Sequence, residues 1–179
     1  MKVITAVAAL GALVGCASSK QPLPTQSNIE PSKYAGTWYE QARLPNRFQN
    51  KCAGDVHAQY TVNPDKTIKV VNQCRTTDGK IDKVEGEARL ATKTTPPDFS
   101  KLEVRFAPKW ISWIPAVWGD YWIMKTHGKY EYSLVGTPDR KFLWVLSRDK
   151  VGDGRIVSEL LNYARTQGFP VEKVVKTKQ

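Results

Sequence analysis

Little in this chain of 179 residues could act as an acid, base, nucleophile or metal ligand at neutral pH. His57 and His127 are its two histidines, the side chains whose ordinary pKa best suits general-base work near neutrality. Neither stands in a His-Glu-x-x-His pair, and no Gly-x-Ser-x-Gly elbow presents a serine beside them. His57 alternates with residues expected to face inward, so it should point outward. Two histidines cannot build a histidine-rich metal centre, and no Cys-x-x-Cys supplies a redox or thiolate pair. No catalytic residue, metal or cofactor is expected. Cys52 and Cys74 have two readings, a disulfide or two buried free thiols. An oxidising compartment favours the disulfide, and closing that loop contributes about 3 kcal/mol in the chain-entropy model.

The elements that would position these residues are mostly strands. Val56, Ala58, Tyr60 and Val62 alternate with polar residues up to an Asn63-Pro64-Asp65 turn, and Ile68 and Val70 begin the return strand. On that hairpin Cys52 and Cys74 fall roughly opposite each other. Asp78-Gly79 signals another turn, after which Val84, Gly86, Ala88 and Leu90 share one parity. Leu102, Val104 and Phe106 repeat the pattern, followed by runs at 121–124 and 132–135. Residues 142–146 are apolar on both faces, so something must cover the outer one. The cover is a helix: Asp153 is its N-cap, Ile156, Val157, Leu160, Leu161 and Ala164 form one stripe, and Gly168 stops it. Leu143 and Val145 would be its docking surface. Eight sequential strands and a late helix predict an all-β, up-and-down antiparallel β-barrel with a C-terminal α-helix packed outside.

Composition limits the function classes. A net charge of +10 with 41% hydrophobic and 25% charged residues describes one folded domain. The positive balance fits either attraction to anionic head groups or a plain solvated surface, and no nucleic-acid-binding motif surrounds the basic residues. Lys2 and the apolar run from Val3 to Leu13 make a secretory segment, too short to span a bilayer. It ends at Leu13-Val14-Gly15-Cys16, which resembles a bacterial lipobox. That resemblance implies lipidation (diacylglyceride and palmitate) of Cys16, with Ala17 directing the protein to the outer membrane and the domain facing the periplasm. The chain then divides into a signal peptide over 1–15, a lipidated N-terminus and flexible tether over 16–31, and a barrel domain over 32–179.

Gly36-Thr37-Trp38 resembles the Gly-x-Trp signature that opens the first strand of lipocalins, and Arg148 resembles the arginine that ends their last barrel strand. The resemblance implies that Arg148 lies over Trp38 and closes the barrel. The family's middle signature matches poorly at Thr126-His127-Gly128. With the lipobox, the chain resembles bacterial outer-membrane lipocalins of the Blc type, which in turn resemble apolipoprotein D and plant temperature-induced lipocalins. This implies binding and transport or storage of a fatty acid or lysophospholipid, in envelope maintenance or stress. A lipid-modifying enzyme on the same fold and a filled barrel serving as an interaction module are the alternatives.

Following the inward parity from Trp38 and Arg148, the residues expected to hold the ligand are Ala58, Tyr60, Val70, Val84, Val104, Phe106, Tyr121, Ile123, Tyr132, Leu134, Phe142 and Trp144, with Phe48 at the rim. Gly86 and Ala88 should leave space for it. Arg105 and Lys109 are candidates for pairing with a carboxylate or phosphate. The uncharged stretch Trp110–Gly119 has two readings: satellite core, or an exposed patch touching lipid or a second copy in a homodimer through Trp110–Trp118.

Overall fold

The computed structural model describes residues 21–91 and 97–179. The expected signal segment and Cys16 lie outside them. Eight strands run in chain order around a closed antiparallel barrel: β1 (Gly36–Arg43), β2 (Cys52–Val62), β3 (Ile68–Thr76), β4 (Ile81–Leu90), β5 (Lys101–Arg105), β6 (Gly119–His127), β7 (Tyr132–Gly136) and β8 (Leu143–Ser147). Pairing of β1 with both β8 and β2 closes the ring.

Closure is incomplete along β1, whose ladder with β2 covers only Gly36–Tyr39 against His57–Tyr60. Beyond it a short strand β9 (Val175–Lys176) pairs with Ala42 and Arg43. The tail fills the remaining gap: Asp55 N–H donates to Lys178 O at 2.8 Å, and Gln179 Nε2 donates to Glu40 O and Val56 O. Cys52 and Cys74 form a disulfide with Cα atoms 5.6 Å apart. A single 3-10 turn at Val171–Lys173 precedes this short β9.

Helix α2 (Gly154–Thr166) begins where Asp153 Oδ1 accepts from Arg155 N–H at 2.8 Å, and Gly168 follows it at φ +85°. Its buried Val157, Leu160 and Ala164 pack on Leu143 and Val145. A short helix α1 (Pro31–Tyr34) crosses the barrel's closed end. Residues 21–30, expected to belong to the flexible tether, are instead a packed strap. Leu23 and Ile29 are buried, and Gln26 N–H donates to Ile123 O at 2.9 Å.

The loops joining β1–β2, β3–β4, β5–β6 and β7–β8 gather at one end of the barrel, which is open. The other end holds α1, Trp38 and Arg148.

Candidate ligand-binding site

The closed end is built from one stacked pair. The Arg148 guanidinium sits 3.8 Å from the Trp38 ring centroid and donates to four carbonyls: Thr37 and Lys33 at 2.8 Å, Tyr34 and Tyr130 at 3.2 Å. Trp38 Nε1 donates to Tyr34 O. Above it the hydroxyls of Tyr34, Tyr121 and Tyr60 form a chain, with Tyr34 also bonded to Ser133 Oγ at 2.8 Å. Burial raises the Tyr34 pKa to about 12 and pushes Tyr60 and Tyr121 up as well.

Ala58, Tyr60, Val70 and Ile123 belong to this inner cluster, with Ile68, Leu102, Val135 and Leu146, and Tyr121 and Val104 pack against it. The space among Ile29, Tyr34, Phe99, Leu102 and Ile123 is about 10 Å³, room for no more than a water. Ala58, Tyr60, Val70 and Ile123 are themselves buried, so these expected lining residues form a packed floor.

Toward the open end the interior face loosens. Val84 and Phe106 are each 40% exposed, Trp144 is half-buried, and Phe142 stacks parallel to Trp144 at 6.0 Å. Phe48 stands at the rim, 61% exposed and 5.9 Å from Phe142. The space expected beside Gly86 is taken, because a Cβ there would meet Phe106 Cδ1 at 2.6 Å. Phe106 is thus the interior's own filling at that height.

Between floor and rim lies a polar group absent from the expected lining. Glu40 is almost fully buried and accepts from Arg43 Nη1 at 2.8 Å, Gln49 Nε2 at 2.6 Å and Thr177 Oγ1. Gln49 Oε1 in turn accepts from Trp144 Nε1 at 3.0 Å and Asn46 Nδ2 at 2.7 Å. Arg43 Nε is buried with no hydrogen-bond partner. Glu40 shares Trp38's parity and was open to discovery from sequence. Arg43 was not, because a bulge between Glu40 and Ala42 turns Ala42 outward and Arg43 in beside Trp144.

A second bulge, between Ile123 and Lys125, corrects two expectations. Tyr132 and Leu134 face outward and join Leu143, Val145 and the helix in the outer core, while Ser133 and Val135 take the inner face. The Tyr132 hydroxyl accepts from Asp153 N–H at 2.7 Å, fastening the helix start. Arg105 also lies on the outer wall, ion-paired with Glu87 and 5.2 Å from the Trp118 ring, so it cannot serve the mouth. Both histidines sit outside: His57 lies beside Tyr39 and His127 beside Tyr132.

The tryptophan-rich loop divides. Trp118 is wedged against the wall, with Arg89 stacked at 3.8 Å and its Nε1 donating to Ser112 O. Trp110 and Trp113, in the same loop, are 78% and 79% exposed.

A family model described as a lipocalin-like domain matches residues 29–179. Temperature-induced lipocalin-1 of Arabidopsis thaliana is 36% identical over 90% of this chain and 86% of its own. Outer membrane lipoprotein Blc of Escherichia coli K12 is 30% identical over 100% of this chain and 97% of its own. Apolipoprotein D of Macaca fascicularis is 32% identical over 87% and 80%. Among solved structures, insecticyanin from the tobacco hornworm Manduca sexta superposes with a TM-score of 0.67 at 22% identity, covering 89% of this chain and 85% of that one. With the floor, the strand order and the helix already placed, these matches settle the family: the chain is a lipocalin.

Proposed function

We propose that the protein is an outer-membrane lipocalin, anchored through Cys16 with its domain in the periplasm, that binds and carries a single-chain amphiphile: a fatty acid or lysophospholipid. The observation that carries this reading is the interior between floor and rim. Val84, Phe106, Trp144 and Phe142 offer apolar surface, and Arg43 beside them holds one buried donor, Nε, without a partner. Burying an acyl chain there draws on the usual area-proportional gain. A carboxylate or phosphate oxygen would satisfy Arg43 Nε, while Glu40 balances the guanidinium from its Nη1 side.

Binding rather than turnover suits the chemistry present, since the two histidines face away from the interior. The anchoring rests on Leu13-Val14-Gly15-Cys16 and Ala17. It is supported by likeness to a relative named as an outer membrane lipoprotein.

The barrel, helix and strap all lie within residues 21–179, so the chain from Ala17 onward carries the whole fold. Native mass spectra of that chain, before and after delipidation, should show an adduct of fatty-acid or lysophospholipid mass that returns when the lipid is added. Arg43→Met should weaken oleate by about tenfold or more, the range for a hydrogen bond to a charged group. It should spare monoolein, which has the chain without the charge. Leu134→Ala, altering the outer core, should keep both affinities. An adduct-free protein that ignores both lipids refutes the reading.

A further inference from the structure

Between β1 and β2 the barrel wall is not one continuous ladder. Their pairing stops at Tyr39 and His57, and from there toward the open end residues 177–179 bridge the two strands. On the β1 side Thr177 N–H donates to Gln41 O at 3.0 Å and Gln179 Nε2 to Glu40 O at 2.6 Å. On the β2 side Asp55 N–H donates to Lys178 O and Gln179 Nε2 to Val56 O, both at 2.8 Å. β2 is shaped for this insert. Bulges on either side of Gly54 interrupt its register with β3, and Asp55 takes φ +52°, ion-paired with Arg75 at 2.7 Å and Lys150 at 3.1 Å. Gly54 leaves the room, since a Cβ there would meet Lys178 O at 2.8 Å.

Hydrogen bonds hold the insert, with little apolar packing behind them. Val174 still packs against the outer core, but Val175 is 39% exposed, Lys176 and Lys178 are exposed, and Thr177 and Gln179 are half-buried. A segment held in this way opens locally without loosening the core. Behind it lies the polar group of the proposed site. Thr177 Oγ1 donates to Glu40 Oε1 and accepts from Arg43 Nη1 at 3.3 Å, on the guanidinium whose Nε lacks a partner. Lifting residues 177–179 would therefore open the wall onto Glu40 and Arg43. A chain entering at the mouth instead meets Phe106 beside Gly86, and Phe142 stacked on Trp144.

We propose that residues 177–179 are a movable section of the wall, lifting to let a single-chain amphiphile pass between β1 and β2 and closing as its head group meets Arg43. Such a route presupposes the proposed carrier function. A gate changes the rates of entry and release by the same factor and leaves affinity alone. A section of wall that only lends stability governs neither rate.

Gly54→Cys with Lys178→Cys should staple the section shut, because a Cβ at Gly54 would lie 3.4 Å from Lys178 Cβ, near the spacing a disulfide needs. The chain from Ala17 carries the pair, Gly54→Ser with Lys178→Ser is the unbridged control, and peptide mass spectra check both bridges. Stopped-flow mixing with dibromostearate, whose bromines quench tryptophan, reads entry beside Trp144, and a chase with excess oleate reads release. The staple should slow both rates by about tenfold or more and keep the equilibrium affinity within about twofold of the control. In the unsubstituted chain, the Asp55 and Thr177 amides should exchange hydrogen about a hundredfold faster than those of the β1–β2 ladder, and bound dibromostearate should slow them several-fold.

Equal rates in the stapled and control chains overturn the proposal and leave the mouth as the entrance. Asp55 and Thr177 amides as protected as the ladder overturn it too. A staple that slows entry alone, and so weakens affinity, also overturns it and makes the section part of the binding surface. If neither the control nor the unsubstituted chain binds dibromostearate at equilibrium, the carrier reading fails and the entrance with it, whereas binding with unaltered rates is failure of the entrance alone.

Discussion

Removing the Arg148 side chain should be costly at the closed end. Its guanidinium lies 3.8 Å from the Trp38 ring and serves four carbonyls from three segments: Lys33 and Tyr34, Thr37, and Tyr130. A partly desolvated cation–π contact contributes about 1 kcal/mol, and a hydrogen bond from a charged donor about 1.5 kcal/mol. Counting only the two 2.8 Å bonds in full, and allowing for water replacing part of what is lost, Arg148→Ala should destabilise by about 3 kcal/mol. For a chain of this size that lowers the melting temperature by roughly 9 °C. Urea unfolding followed by circular dichroism gives the free energy, with an unchanged slope showing that the same surface unfolds. Arg148→Lys keeps the charge, yet a compact ammonium cannot serve carbonyls spread across α1, β1 and the β6–β7 loop, so it should recover less than half. An Arg148→Ala cost below about 1 kcal/mol would refute the account, as would full recovery by lysine.

Two further outcomes follow from buried chemistry. Tyr34, Tyr60 and Tyr121 have pKa values raised by burial in the folded state, so they contribute stability below the unfolded tyrosine value near 10. That contribution is lost as pH rises above about 10 toward the folded value, about 12 for Tyr34. Absorbance titration near 295 nm should therefore show three of the seven tyrosines ionising only with unfolding, and Tyr121→Phe should reduce that late component. Replacing Cys52 and Cys74 together by serine should cost about 3 kcal/mol, because the bridge spans 22 residues, and urea midpoints with and without the bridge measure it.

Strand count, hairpin order, the disulfide, the helix with its Asp153 cap and the Trp38–Arg148 stack were all legible in the sequence. Each rests on a local rule: two-residue alternation, turn chemistry, a cap, or a signature at a strand end. Facing was less legible, because parity propagates only until a bulge interrupts it. Leu134 illustrates the loss. Ser133 is polar and Leu134 apolar, so alternation alone puts Leu134 inside. The structure reverses them, because the helix makes the outer face apolar there and the Tyr34 hydroxyl supplies Ser133 with a partner inside. Residues 142–146 carried a warning of this covering, being apolar on both faces, and the same helix covers the neighbouring strand. The strap was illegible for a different reason: its Ser, Pro, Gln and Asn content reads as linker, and only Leu23 and Ile29 among residues 21–30 are buried.

The barrel's two ends meet opposite physical demands, and the residues divide accordingly. At the closed end every polar group has a fixed partner: Arg148 on four carbonyls, Trp38 on Tyr34 O, and the three tyrosines on one another and Ser133. Such a network is costly to break and leaves no room for a guest. At the open end the large side chains stand in solvent or lean on one another, as Phe48, Phe142 and Trp144 do, and moving them forfeits little buried area. In the proposed carrier, fold stability and ligand accommodation fall to different residues. Phe106 marks the boundary: it occupies the space above Gly86 yet remains 40% exposed, so the proposed acyl chain would have to displace Phe106 but not the floor beneath.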